Sequence, residues 1–199
     1  MKDKIASEIE RIDSFKKNIK NGVGIFGSAR ESENGVYYNL TKYIAAKLSS
    51  QGFQVISGGG PGIMKAAIEG AKTSGCKSIA LNIKLPFEDS VLPSDKVSID
   101  FDYFMTRKLA FAKYCDSFIV MPGGFGTMDE LFEMLTLIQT RRMKAKQIFL
   151  FGTEFWAGLL KWLNELSDAS FINEIDLNMI HATNSVSEIL SKLKKVGYE

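Results

Sequence analysis

The sequence predicts a three-layer α/β fold, a doubly wound parallel sheet flanked by helices. Two observations carry this expectation. Short apolar runs alternate with stretches of helical periodicity from Gly22 to Leu193, as successive strand-helix-strand units do. Three of those runs end in turns rich in small residues: Gly27-Ser28-Ala29-Arg30, Ser57-Gly58-Gly59-Gly60-Pro61-Gly62 and Pro122-Gly123-Gly124-Phe125-Gly126-Thr127. Parallel α/β sheets collect ligands at the carboxyl ends of their strands, so such turns also mark the expected site. With 199 residues, 45% of them hydrophobic, and a formal net charge of +2, the chain is expected to form one domain over residues 1–199.

Residues 2–19 carry Ile5, Ile9, Ile12, Phe15 and Ile19 at spacings of three and four among charges. This predicts an amphipathic helix within residues 1–20, peripheral to the sheet. Gly22 to Phe26 reads as the first strand, and Ser28 and Arg30 in the turn after it are candidate ligand contacts. Tyr37 to Ser50 has helical periodicity, and Gly52 is well placed to end it before a strand from Phe53 to Ile56. In the turn that follows, Gly59 and Gly60 are candidate contacts, and Pro61 suits the first turn of a helix running through Ala71.

Lys77 to Ile83 reads as a third strand, followed by a Pro-containing loop from Lys84 to Asp89. That loop suits a pocket wall, and Glu88 in it is either a ligand contact or a solvated carboxylate. Val97 to Phe101 predicts a short strand, and Tyr103 to Ala112 a helix that sets Arg107 and Lys108 among apolar residues. Arginine is the preferred partner for a two-point contact with phosphate or carboxylate, which assigns Arg107 to the site; a solvated face alone accounts for Lys108. Phe118 to Met121 is the strand before the third turn, and Leu131 to Thr140 the helix after it. Further on come a strand at Gln147 to Phe151, a helix at Phe155 to Leu166, a short strand at Asn178 to Ala182 and a terminal helix at Val186 to Leu193.

The third turn is the centre of the chain's chemistry. Glycines at 123, 124 and 126 let backbone amides approach a ligand and permit positive φ, and a helix starting at Thr127 adds unsatisfied N–H groups and a positive dipole end. That combination suits a phosphate. Glu130 then puts a carboxylate beside the anion site. Two readings of it stay open on spacing alone: a reacting group, or the last member of a capping box Thr127-Met128-Asp129-Glu130. Neither long glycine turn matches GxxxxGK[ST] or GxGxxG in register, which disfavours kinase-like and plain NAD-binding readings and leaves a nucleotide as the expected ligand.

Several classes find no support. Cys76 and Cys115 have no CxxC spacing and His181 is the only histidine, so a zinc cluster, a Cys/His pair and a Ser/His/Asp triad all lack support. The cysteines read as apolar fillers and His181 as structural. Scattered Lys and Arg make no nucleic-acid footprint. No apolar run has the length to span a bilayer, and Met1-Lys2-Asp3-Lys4 leads into charges rather than a signal segment, so a cytoplasmic protein is expected.

Taken with Arg107-Lys108 and Gly58-Gly59-Gly60-Pro61-Gly62-Ile63-Met64, the run Pro122-Gly123-Gly124-Phe125-Gly126-Thr127-Met128-Asp129-Glu130 resembles the LOG (Lonely guy) family over about residues 20–195. These are nucleoside 5′-monophosphate phosphoribohydrolases, often mislabelled lysine decarboxylases. The resemblance implies a Rossmann-like fold and hydrolysis of the N-glycosidic bond of AMP or an N6-substituted, cytokinin-type AMP, without metal or organic cofactor. It also implies roles: Gly123, Gly124, Gly126 and Thr127 hold the phosphate, Arg107 and Glu130 are catalytic, and Lys108 and Glu88 line the pocket. Thr136 is a weaker carry-over. A homodimer is expected, from the family's habit and from the apolar face Leu131, Met134, Leu135 and Ile138. The alternative is a non-catalytic nucleotide or cofactor carrier, because carriers close to this family share the glycine loops. A PLP-dependent decarboxylase would need a Schiff-base lysine and a pyridinium partner, and no such pair stands out.

Overall fold

The computed structural model describes residues 1–73, 78–84 and 97–193. Among them, seven strands form one sheet: β1 (Gly22–Phe26), β2 (Gln54–Ser57), β3 (Ile79–Ile83), β4 (Val97–Phe101), β5 (Cys115–Val120), β6 (Gln147–Phe151) and β7 (Ile180–Thr183). All six pairings are parallel, in the order β4-β3-β2-β1-β5-β6-β7. The helices are α1 (Lys2–Lys16), α2 (Val36–Ser50), α3 (Ile63–Lys72), α4 (Phe104–Tyr114), α5 (Phe125–Gln139), α6 (Thr153–Asp168), the single turn α7 (Glu174–Leu177) and α8 (Val186–Lys192). The expected doubly wound α/β sheet is present. None of the described helices is long and apolar enough to cross a membrane.

Strand alternation builds the three layers, since successive side chains point to opposite faces. Phe118 and Val120 of β5, with Ile148 and Leu150 of β6, join Ile12, Phe111, Leu131, Met134 and Trp156 in one core cluster, the layer of α1, α4, α5 and α6. Their neighbours Ile119, Phe149 and Phe151 join Ile44, Leu48, Ile63, Ala67 and Ile189 in the other, the layer of α2, α3 and α8. Chain order reverses direction between β1 and β5, which makes the gap beyond their carboxyl ends the switch point of the sheet.

Four local expectations are revised. Pro61 lies before α3, not inside it; Gly62, at φ +62°, is the N-cap. α5 begins at Phe125 rather than Thr127, so the capping box does not form: Gly124 is the N-cap without a side-chain bond, and Thr127 is buried in the first turn. None of Gly123, Gly124 and Gly126 has positive φ, so left-handed backbone is not why glycine stands there. The apolar face of α5 offered as a dimer surface is used within the chain itself, since Leu131, Met134 and Ile138 are at most 8% exposed. Burial also accounts for Cys115, a fully buried thiol pushed up to about 12 and therefore inert. His181 sits on β7 with its ring 5.6 Å from that of Phe149, and burial holds its pKa below the usual value.

Candidate active site

Three strand-end turns are tied together at the switch point. Ser28 N–H donates to the Pro122 carbonyl at 3.0 Å, Met121 N–H to Phe26 at 2.9 Å, and Ile63 N–H to the Ser28 carbonyl at 3.0 Å. Above them opens a cleft of about 1020 Å³, large enough for a nucleotide. Ser28, Arg30, Gly59, Gly60, Arg107, Lys108, Gly123, Gly124, Gly126, Thr127 and Glu130 all line it. The Ser28 hydroxyl also accepts the Arg30 N–H at 3.0 Å, which shapes the turn. Thr136 is not in the cleft: it is exposed, and its hydroxyl donates to the Phe132 carbonyl at 2.7 Å. Glu88 and Cys76 lie outside the described residues.

The glycines divide by what surrounds them. A Cβ on Gly123 would lie 2.1 Å from Thr127 Oγ1 and 3.0 Å from Ser28 N, and Gly59 has φ +78°, so packing and backbone demand glycine at these two. At Gly124 and Gly126 a Cβ would meet nothing within 4 Å. The cleft side of the α5 N-terminus is therefore left bare, with its first-turn amides open to an anion.

Beside that terminus stand the two ionisable groups. Arg107, on α4, is 6% exposed. Its Nε donates to the Leu81 carbonyl at 2.9 Å, its guanidinium lies 5.7 Å from the Phe111 ring centroid, and its Nη2 comes to 3.6 Å from Glu130 Oε1. The last distance is an ion pair, not a hydrogen bond. Glu130 lies on the second turn of α5 with its side chain 16% exposed. Burial pushes its carboxyl up to about 7, opposed by Arg107 and reinforced by Asp129. Burial lowers Arg107 in turn, and Glu130 counters it. A buried carboxyl titrating near neutrality beside one fixed cation suits proton transfer.

Lys108 is in the cleft as expected, and its charge is already engaged there. Its ammonium pairs with Asp129 Oδ1 at 3.1 Å and also with Glu133. Burial pulls its pKa down, yet hydrogen bonds to Glu133 and Asp129 outweigh this and the net shift is upward. It clamps α4 to α5, bringing Arg107 and Glu130 together, and its charge is already matched. A protonated lysine held by two carboxylates does not suit a Schiff base, and Lys108 is the lysine lining the cleft among the described residues. The described residues therefore do not fit pyridoxal phosphate.

Sequence reasoning missed Asn82, Phe104 and Phe125, which also line the cleft. Asn82, whose Nδ2 donates to Asp100 at 2.8 Å, had a signal: a lone amide at the carboxyl end of an apolar strand. Phe125 is 94% exposed at the first position of α5, hidden from sequence by the misplaced helix start.

Fold and site together define an α/β protein with an anion-ready helix terminus and an ionisable pair at its switch point. The family model described as possible lysine decarboxylase matches residues 64–193, and the chain belongs to that family, the LOG family. A second model, described as DNA recombination-mediator protein A, matches residues 14–88. Among similar curated proteins is a probable cytokinin riboside 5′-monophosphate phosphoribohydrolase of Oryza sativa subsp. japonica, 27% identical over 175 residues, 86% of this chain and 78% of that protein. A cytokinin riboside 5′-monophosphate phosphoribohydrolase of Mycobacterium tuberculosis is 26% identical over 155 residues, 76% of this chain and 82% of that protein. Among solved structures, the molybdenum cofactor carrier protein of Chlamydomonas reinhardtii superposes with a TM-score of 0.65 at 20% identity, covering 86% of this chain and 94% of that one. That last likeness speaks for the fold alone.

Proposed function

We propose that the cleft hydrolyses the N-glycosidic bond of nucleoside 5′-monophosphates, AMP or N6-substituted AMP, releasing the free base and ribose 5-phosphate. The observation that carries this reading is the buried pair: Glu130, pushed up to about 7, held 3.6 Å from Arg107 one turn beyond a bare helix N-terminus. The reaction itself comes from the names of the rice and mycobacterial relatives. In this reading the 5′-phosphate lies on the amides of Gly124 to Thr127, and the ribose then faces Glu130.

Breaking a ribosyl C–N bond develops positive charge on the sugar, as in glycoside hydrolysis. Ionised Glu130 stabilises that charge and takes a proton from the water that attacks C1′. The bonding pair leaves with the base, where Arg107 meets the growing negative charge; a guanidinium does this electrostatically, not by proton donation. One water is consumed, its hydroxyl going to the sugar and its proton to the base.

A partner surface is proposed as well. On α6, Phe155, Leu159, Trp162 and Leu166 form a stripe at helical spacing that stays partly open, with Phe155 and Trp162 each 47% exposed. Trp162 lies edge-to-face on Phe132 of α5, ring centroids 6.1 Å apart. This stripe, not the buried face of α5, supports a homodimer.

The test is incubation with a panel of nucleoside 5′-monophosphates, followed by chromatography for free base. Base from at least one purine monophosphate is expected. Tight binding of a monophosphate with no base released would favour the carrier.

A further inference from the structure

α4 carries Arg107, yet its own sequence leaves its N-terminus bare. Tyr103 is the N-cap without a side-chain hydrogen bond, and no Asp or Glu falls in the first turn. The missing acid comes from α1. Glu8, only 5% exposed, accepts the backbone N–H of Asp102 on one carboxylate oxygen at 2.7 Å. Its other oxygen accepts the hydroxyl of Thr106. These contacts bracket the N-cap, one on the backbone N–H just before it and one on a hydroxyl in the first turn; Glu8 takes no first-turn amide, but pins the start of the helix to a carboxylate contributed by a different helix. Arg107 follows Thr106 directly, and its amide closes the first turn on the Tyr103 carbonyl at 3.1 Å.

Attachment of α1 does not depend on this contact. Tyr114 hydroxyl donates to the Ile12 carbonyl at 3.1 Å, and the rings of Phe15 and Tyr114 lie 5.9 Å apart. Lys113 pairs with Asp13. A carboxylate is costly to bury unless it is hydrogen-bonded, and the bonds that hold Glu8 end one residue short of the buried guanidinium. Residues 2–13 also precede both stretches matched by family models, 64–193 and 14–88.

We propose that Glu8 is a positioning residue of the cleft: by tying Asp102 and Thr106 to α1 it fixes the first turn of α4 and with it the place of Arg107 relative to Glu130. The activity readout below rests on the proposed phosphoribohydrolase function; the placement of Arg107 does not.

The test compares the wild type with Glu8→Ala and Glu8→Gln in the full chain. The Gln variant can rescue, because its amide accepts the Asp102 N–H and donates to Thr106, leaving the Thr106 proton for the Tyr103 carbonyl it already reaches at 2.9 Å. For adenine release from AMP, Glu8→Ala is expected to lower kcat about tenfold or more with KM within about twofold, and Glu8→Gln to restore it. The second readout is the titration of the Glu130 carboxyl by NMR in the ligand-free protein. That carboxyl is faced by Arg107, Asp129 and Lys108, and Arg107 holds it down, so Glu8→Ala should raise its pKa and Glu8→Gln return it. If the contact merely stabilised α4, its loss would lower the melting temperature and leave both kcat and the Glu130 titration unchanged, which would overturn the proposal. If the wild type releases base from no monophosphate, the functional reading fails, and the Glu130 titration alone decides on Glu8. Should Glu8→Ala not fold, Thr106→Val removes one of the two bonds and carries the same readouts.

Discussion

Glu130 is held between burial, which favours its protonated form, and Arg107, which favours the charged one. Burial prevails, and two pH effects follow. As a base in the free enzyme it must be ionised, so kcat/KM for AMP should rise through about pH 7. The stability effect runs the other way. Its folded pKa of about 7 exceeds the ordinary 4.5, so between those values the folded state binds more protons, and stability is lost as pH rises through the window. Glu130→Gln cannot ionise and escapes that loss; it should fold, lose turnover, and gain on the wild type by about 2 kcal/mol in unfolding free energy between pH 5 and pH 8. Denaturant titrations at the two pH values check this, and a constant difference would contradict the raised pKa. The types and spacing of Arg107 and Glu130 made both legible in the sequence. The pairing of Lys108 was not, because Asp129 and Glu133 lie on another helix, reached only by folding.

The start of α5 is where sequence and structure part. Gly124 and Gly126 look like loop residues, since glycine is a poor helix former, yet the helix runs through Gly126 from Phe125. What local propensity could not reveal is that the rest of the protein leaves the space at these glycines empty. Gly124→Ala and Gly126→Ala should accordingly change stability by no more than about 1 kcal/mol, measured by thermal unfolding. Each should still slow AMP cleavage by about tenfold or more, as the added methyl displaces the phosphate from its charge-assisted hydrogen bonds. Adenosine, with no phosphate to displace, should be hydrolysed at an unchanged rate. Equal losses on both substrates would mean that these amides do not hold the phosphate. Gly59→Ala, by contrast, should destabilise, because its φ of +78° and the Asn82 Oδ1 lying 1.8 Å from a Cβ there leave no room.

Across the whole molecule, strand runs and glycine turns conveyed the doubly wound sheet, since each element's periodicity is local. The order β4-β3-β2-β1-β5-β6-β7, which sets the cleft between β1 and β5, depends on long-range pairing, and so does the link from α1 through Glu8 to α4. The surface left for a partner was misread for the same reason: spacing shows that α5 has an apolar face, not that the sheet covers it. If the α6 stripe joins two copies, light scattering should give about 44 kDa, twice 22.1 kDa, and Trp162→Glu about half of that. A wild-type mass near 22 kDa at micromolar concentration would contradict the dimer. The central claim, that a bare helix terminus holds the phosphate while the pair beside it cleaves the glycosidic bond, is tested most directly by one comparison: adenine release from AMP and from adenosine under identical conditions. The account predicts that AMP exceeds adenosine by about 100-fold or more in kcat/KM, on the usual strength of charge-assisted contacts. Equal rates for the two would contradict it.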